Sequence, residues 1–188
     1  MTGVQTCALP IYGARIFNAA VALEIPVAEL TRDVDDASFC LSKALSCPVG
    51  SVLVGSKEFI GEAKRWRKMV GGGMRQAGIL AAAGLVALDT MVDRLAEDHQ
   101  NARRLATGLA NINGLTVDAD SIQTNIVIFD VDESVGTAPG FIKAMDTAEV
   151  QVSYPGERSV RMVTHRHISG DDVEEALSRT SKVVRELK

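Results

Sequence analysis

A lysine in a crowded setting is the residue of this chain best suited to covalent chemistry. Lys43 lies in the segment CLSKALSCPVGS (40–51), after an apolar run and among small residues. Lysine is usually exposed on a solvated stem, whereas small apolar neighbours would desolvate it. Desolvation lowers the pKa of a lysine amine and makes the amine a nucleophile, for example toward an aldehyde cofactor. The alternative interpretation is a lysine at a strand end that reaches solvent.

Composition excludes several classes of function. The 188 residues carry a net charge of −4 and only 4% aromatic residues, which argues against nucleic-acid and membrane-surface binding. The apolar run 79–88 is about half the length that spans a bilayer. Three cysteines (Cys7, Cys40 and Cys47) form neither a metal-type spacing nor an even disulfide set, which favours a reducing, cytoplasmic compartment.

Two short strands should position the lysine. Apolar runs at 37–42 and 49–55 predict buried strands on either side of Lys43. The segment 14–23 is expected to start as the end of a strand and continue as a helix. Helices are also expected at 26–35 and 56–70, the last with a serine cap, before the glycines at 71–73 end it. The Ala/Gly-rich pattern 74–111 predicts one long helix that kinks or splits near 98–101 and packs closely through residues 81–84.

The rest of the chain alternates strands with helices. Strands are predicted at 115–117, 124–131, 150–154 and 159–165, and helices at 137–147 and 170–187, with Ser169 or Asp171 as the last cap. His99 and His167 are expected on exposed faces, and Cys40 and Cys47 as packing residues. We therefore expect part of a large α/β domain at 12–95, a small α+β domain at 96–188, and a boundary inside the long helix.

The first residues have no recognisable pattern. MTGVQTCALPIY lacks helical or strand periodicity and resembles a translated sequencing adapter. We interpret residues 1–11 as a non-native leader, with a disordered terminus as the alternative.

Several segments, in one order along the chain, resemble a known family. GARIFNAAVAL (13–23), CLSKALSCPVGSVLVG (40–55), RKMVGGGMRQAGILAAAGLVAL (67–88) and RMVTH (161–165) resemble the low-specificity threonine aldolases. The resemblance covers 13–188 and implies the C-terminal half of a pyridoxal-phosphate-dependent enzyme with the aspartate-aminotransferase-like fold. It implies cleavage of threonine and related β-hydroxy-α-amino acids to glycine and an aldehyde, in a dimer or tetramer.

The resemblance also implies roles for individual residues. Lys43 would form the Schiff base with pyridoxal phosphate, and Arg15 and Arg161 would hold the substrate carboxylate, for which a guanidinium fork is suited. Arg75 would lie near the cofactor phosphate, where glycines opening a helix could add backbone donors. Surface ion pairs for the arginines and a simple helix stop at the glycines are the alternatives.

One departure from the family pattern concerns the cofactor ring. The family has an aspartate directly before GARIF, which pairs with the pyridine nitrogen, and this chain has Tyr12 there. Two other hypotheses therefore stay open. The chain could be a cofactor-free assembly or binding module of the same shape, or part of another pyridoxal-phosphate lyase, such as a β-eliminating enzyme.

Overall fold

The computed structural model describes residues 10–153, 156 and 158–188. The chain divides after Arg94 into two compact units. Among the described helices, none combines the length and the apolar character needed to cross a bilayer.

The described residues of the first unit form a three-stranded sheet and four helices. Its strands are β1 (Pro10–Tyr12), β2 (Asp36–Cys40) and β3 (Ser51–Gly55), and its helices are α1 (Ile16–Leu23), α2 (Val27–Leu30), α3 (Lys57–Met69) and α4 (Gly78–Thr90). The order is β1-β2-β3, with β1 parallel and β3 antiparallel to β2. Pairing of β1 with β2 brings Tyr12 opposite Ser38.

The buried cluster of this unit is small. Leu41, Leu45, Cys47 and Ala87 form it, with partly buried side chains such as Phe17 and Phe39 packed around it. Gly84 lets α4 approach the loop, since a Cβ there would lie 3.1 Å from Cδ1 of Leu41. The core of this unit therefore forms where the loop that carries Lys43 packs against α4.

The second unit has a fuller core. It consists of α5 (Leu95–Ala110), β4 (Leu115–Thr116), a 3₁₀ turn (Ala119–Ser121), β5 (Ile126–Val131), α6 (Ala138–Thr147), β6 (Ser159–Val163) and α7 (Gly170–Leu187). The antiparallel sheet has the order β4-β5-β6. Alternate residues of β5 are buried, and Phe129 meets Phe141 of α6 edge to face at 6.0 Å.

Helix ends follow the local sequence signals. The Ser56 side chain caps α3 by accepting a bond from the N–H of Phe59. Ser169 rather than Asp171 caps α7, in a capping box with Asp172. These bonds satisfy backbone donors that a helix start leaves without partners.

Several predicted boundaries were wrong. The long helix breaks after Thr90 and restarts at Leu95, not near 98–101. The helix expected at 26–35 is only Val27–Leu30. The strand expected at 37–42 is Asp36–Cys40, and the strands expected at 49–55 and 159–165 are shorter at one end. Pro10–Tyr12, which showed no strand pattern, pairs with β2, so the last two residues of the segment interpreted as a leader lie in this sheet. Residues 1–9 of that segment lie outside the described residues.

The strand expected at 150–154 is reduced to one bridge. Ser153 pairs with Arg161 of β6, and residues 150–152 are in no strand. Position 154 of that prediction lies outside the described residues. Among the described residues, Ser153 is therefore the one that pairs with the outer edge of β6, at Arg161.

Candidate functional site

Two segments that carry predicted site residues leave the same edge of the first sheet. Because β1 and β2 are parallel, their carboxyl ends lie side by side, and the N–H of Gly13 donates to Ser38 O at 2.8 Å. The turn after β1 leads to Arg15, and the loop after β2 leads to Lys43. The carboxyl edge of parallel strands is where α/β sheets bind ligands.

The Lys43 loop (residues 41–50) is held by backbone hydrogen bonds. The Leu41 N–H donates to Gly50 O at 2.9 Å, and the Cys47 N–H donates to Leu41 O at 3.0 Å. The Ser46 N–H donates to Lys43 O at 2.9 Å, and Ser46 has a φ of 63°. Lys43 therefore lies on a compact turn whose two ends are joined by hydrogen bonds.

The prediction that Lys43 itself is buried was wrong. Leu41, Ala44 and Leu45 are buried, but Lys43 is exposed. The tight turn directs its small and apolar neighbours into the core, whereas the lysine lies on the outer side. Lys43 is therefore accessible to a ligand.

Neighbouring cysteines have packing roles, as predicted. Cys47 is buried, its thiol donates to Ala83 O of α4 at 3.4 Å, and burial raises the pKa of the Cys47 thiol. Cys40 is half-buried, and the Ser51 hydroxyl donates to its sulfur at 3.6 Å. A raised pKa disfavours the thiolate, so Cys47 is unsuited to nucleophilic attack.

Arg15 and Tyr12 lie on the turn after β1. Arg15 is half-buried at the N-cap position of α1, and its carbonyl accepts from the N–H of Ala19 at 3.2 Å. Tyr12 ends β1 with its side chain 82% exposed. An accessible amine on Lys43 fits an aldehyde cofactor, but the phenol of Tyr12 cannot supply a negative charge to a protonated pyridine.

Arg75 lies in a basic hollow. It is exposed in the segment between α3 and α4, where Lys64, Arg67 and Lys68 line a cavity of about 340 Å³ with it. Within the described part of the chain, no carboxylate forms an ion pair with these four side chains. The surroundings of Arg75 therefore suit an anion.

The glycines at 71–73 do not open a helix. They follow the end of α3, and the N–H of Gly72 donates to Arg67 O at 2.7 Å. α4 starts only at Gly78. The expectation of backbone donors at a helix start was therefore wrong here, and the geometry is that of a helix stop.

Arg161 lies in the second unit. It is exposed at the centre of β6, between buried Val160 and Met162. Its Nε donates to Ser153 Oγ at 3.2 Å, and the two backbones are bridged. The structure thus brings the Arg15 turn and the Lys43 loop to one edge of the first sheet, and holds Arg161 on the second sheet.

A buried polar network in the second unit was not predicted. The Thr164 hydroxyl donates to Asp98 O at 2.6 Å, and Asn125 Nδ2 donates to Thr164 O at 2.8 Å. His99, expected on an exposed face, is only 2% exposed. Burial, and then the charge of Arg103, lower the pKa of His99, while Asp98 opposes them. These bonds tie the start of α5 to the end of β6, close to Arg161.

The second unit also contains a cavity of about 580 Å³ beside β6 and α7. Three of its charged residues are bound to one another, since Arg179 Nε donates to Glu175 at 2.7 Å and Arg179 Nη1 donates to Glu149 at 3.3 Å. A fourth, Asp172, accepts from the N–H of Ser169 at 2.8 Å. In the described part of the chain, no cluster of three or more His, Cys, Asp or Glu side chains could hold a metal ion.

Comparison with known proteins identifies a family match. Residues 5–133 match the family described as beta-eliminating lyase. The chain is 43% identical over 175 residues to the low specificity L-threonine aldolase of Escherichia coli K12, covering 93% of this chain and 50% of that protein. It is 42% identical over 171 residues to low-specificity L-threonine aldolase 1 of Arabidopsis thaliana, covering 90% and 48%.

Solved structures resemble the chain over nearly its whole length. A Listeria monocytogenes protein, described provisionally as an L-allo-threonine aldolase, superposes with a TM-score of 0.76 at 17% identity, covering 95% of this chain and 53% of that chain. A mutant of C-DES with glycine covalently linked to its PLP cofactor gives a TM-score of 0.63 at 18% identity, covering 87% and 49%. The chain spans about half the length of the curated relatives it matches.

Proposed function

Because the chain belongs to the beta-eliminating lyase family, we propose that it is part of a pyridoxal-phosphate-dependent aldehyde-lyase. The fold is that of the pyridoxal-phosphate-dependent aminotransferase-like enzymes, present in part. The proposed substrates are threonine and related β-hydroxy-α-amino acids, and the products are glycine and an aldehyde. Identities above 40% to threonine aldolases over most of this chain support the proposal.

The observation that carries the proposal is the placement of Lys43. Lys43 is exposed on a turn that backbone hydrogen bonds hold in place, at the carboxyl edge of two parallel strands, where a ligand could reach its amine. Lys43 would hold the cofactor covalently through this amine. When bound, pyridoxal phosphate supplies an electron sink for the electron pair of the broken Cα–Cβ bond.

The arginines would orient the substrate and the cofactor. Arg15 and Arg161 would bind the substrate carboxylate, because a guanidinium stays charged and presents a fork of donors. Fixing the carboxylate limits how the amino acid can rotate about its remaining bonds, so that one bond at Cα is selected. Arg75, supported by the positive charge around it, would bind the cofactor phosphate.

Assembly and localisation belong to the same proposal. We infer a homo-oligomer, a dimer or a tetramer, partly because α4 exposes apolar side chains: Ile79 is 78% and Leu85 65% exposed. Of the small residues at 81–84, only Gly84 is buried within this chain and Ala83 is half-buried.

Cysteine usage favours the cytoplasm, and the proposed role there is amino-acid metabolism, in threonine breakdown and glycine formation.

A threonine-cleavage assay tests the proposed function. The longer protein that contains this chain would be incubated with threonine and pyridoxal phosphate, and glycine and acetaldehyde would be measured together. We expect Lys43→Ala to lose at least about a thousandfold in kcat, as loss of a covalent catalyst does. Lys57→Ala, at an exposed lysine at the start of α3, is the matched control and should keep full activity.

The same assay separates the alternative functions. The family description favours β-elimination as the second candidate reaction. Release of a keto acid and ammonia from serine or cysteine, without glycine from threonine, would establish that reaction instead. A protein that binds no pyridoxal phosphate and turns over neither substrate would be the cofactor-free module.

A further inference from the structure

We propose that Ser153 is a positioning residue for Arg161 and restricts its guanidinium to binding a carboxylate through the two terminal nitrogens. The inference rests on the proposed function, which assigns the substrate carboxylate to Arg161. It adds a residue and a binding geometry that the sequence pattern around RMVTH does not contain.

Ser153 holds the backbone of Arg161 at the outer edge of the sheet. The Arg161 N–H donates to Ser153 O at 2.6 Å, and the Ser153 N–H donates to Arg161 O at 3.1 Å. On the inner side, Arg161 lies opposite Ile128 of β5 in the sheet register. The residue is therefore paired on both sides, which fixes the direction in which its side chain leaves β6.

The Ser153 side chain then fixes the guanidinium itself. Arg161 Nε donates to Ser153 Oγ at 3.2 Å. A guanidinium can grip a carboxylate side-on, through Nε and one terminal nitrogen, or end-on, through both terminal nitrogens. Nε already donates to Ser153, so it cannot take part in side-on binding of a carboxylate. The two terminal nitrogens remain available to bind a carboxylate end-on.

The charge of Arg161 is also available to a ligand. Elsewhere in this unit, Arg158 binds Glu133, Arg179 binds Glu149 and Glu175, and Arg104 binds Glu174. No carboxylate among residues 10–153, 156 and 158–188 forms an ion pair with Arg161. A neutral hydroxyl therefore orients this guanidinium without neutralising it, as a carboxylate-binding group requires.

The hydrogen bond is tested first on the 188-residue chain by nitrogen-15 NMR. The Nε–H signal of Arg161 would be assigned by its loss in Arg161→Lys, and its hydrogen-exchange rate measured. We expect Ser153→Ala to exchange about fivefold faster, the effect of one net hydrogen bond, and Ser153→Thr to restore the slow rate. Ser159→Ala is the matched control. Ser159 lies on β6, like Arg161, but its hydroxyl donates to Asp130 at 2.6 Å, so its replacement should leave the Arg161 signal unchanged.

Kinetics of the longer protein test the consequence for the substrate. We expect Ser153→Ala to raise the KM for threonine about fivefold with kcat within about twofold, because the carboxylate grip is shared by ground and transition states. Ser153→Thr and Ser159→Ala should keep the wild-type KM. An unchanged exchange rate, or faster exchange with an unchanged KM, would overturn the positioning role. A wild-type protein that does not cleave threonine would refute the proposed function instead, while the NMR result still decides whether Ser153 fixes Arg161.

Discussion

At the residue scale, Lys43 supports the proposed cofactor site, whereas Tyr12 departs from it. Lys43, the proposed cofactor lysine, is exposed on a turn held by backbone hydrogen bonds. Tyr12 ends the neighbouring strand with its side chain 82% exposed, where the resemblance calls for an aspartate. In the proposed function, Lys43 would still hold the cofactor covalently, but no carboxylate at position 12 would keep the pyridine nitrogen of the cofactor protonated.

Replacing Tyr12 by aspartate should therefore strengthen cofactor binding. In the longer protein, we expect Tyr12→Asp to lower the Kd for pyridoxal phosphate about tenfold, since a hydrogen bond between charged groups contributes about 1.5–3 kcal/mol. The Kd would be measured by titration, following the absorbance of the bound cofactor. Tyr12→Asn is the control, because asparagine has the shape of aspartate without its charge. Equal affinities for the two variants would show that a carboxylate at this position has no role.

At the scale of elements, the junction between α5 and β6 determines how firmly the Arg161 strand is held. Thr164, directly after β6, bonds to Asp98 of α5 and to Asn125 before β5. His99 is buried beside this junction, and burial lowers the pKa of its imidazole. A neutral His99 is therefore part of the folded state of the second unit.

Acid should weaken this junction through His99. Its pKa is lower in the folded than in the unfolded chain, so the unfolded chain binds the proton more readily. The contribution of His99 to stability is complete above the unfolded pKa of about 6.5 and is lost as the pH falls toward the folded pKa. We expect denaturant titrations between pH 7 and about pH 5 to show this loss in the wild type and not in His99→Gln. The exposed His167→Gln should behave like the wild type, and an identical pH dependence in His99→Gln would contradict the account.

Local signals explain which elements the sequence predicted. α3, α6 and α7 follow their patterns because a capping side chain and a helical stripe are properties of adjacent residues. The break after Thr90 was misplaced because apolar spacing continues across it. Exposure of Lys43 and burial of His99 depend on how a turn and a helix pack, which spacing along the chain does not encode.

At the scale of the whole molecule, the candidate site residues are distributed over two units. Lys43, Arg15 and Arg75 belong to the first and Arg161 to the second. The first unit has a small buried cluster and exposes Val70 and Ile79 at 78% each, whereas the second has an extensive core. Large apolar side chains that are exposed in this way are found at interfaces when they lie together. Together with the chain spanning half of its relatives, this is why the activity is proposed for a longer protein.

Mapping the cofactor-bearing lysine tests the central claim most directly. The longer protein would be incubated with pyridoxal phosphate, reduced with borohydride and digested, and the pyridoxyl group located by mass spectrometry among all lysines. The account predicts near-stoichiometric modification of Lys43, with no more than background labelling of Lys57, Lys64 and Lys68, which are exposed on α3. Stoichiometric modification of one of those lysines, with Lys43 unmodified, would contradict the assignment of Lys43 as the cofactor lysine.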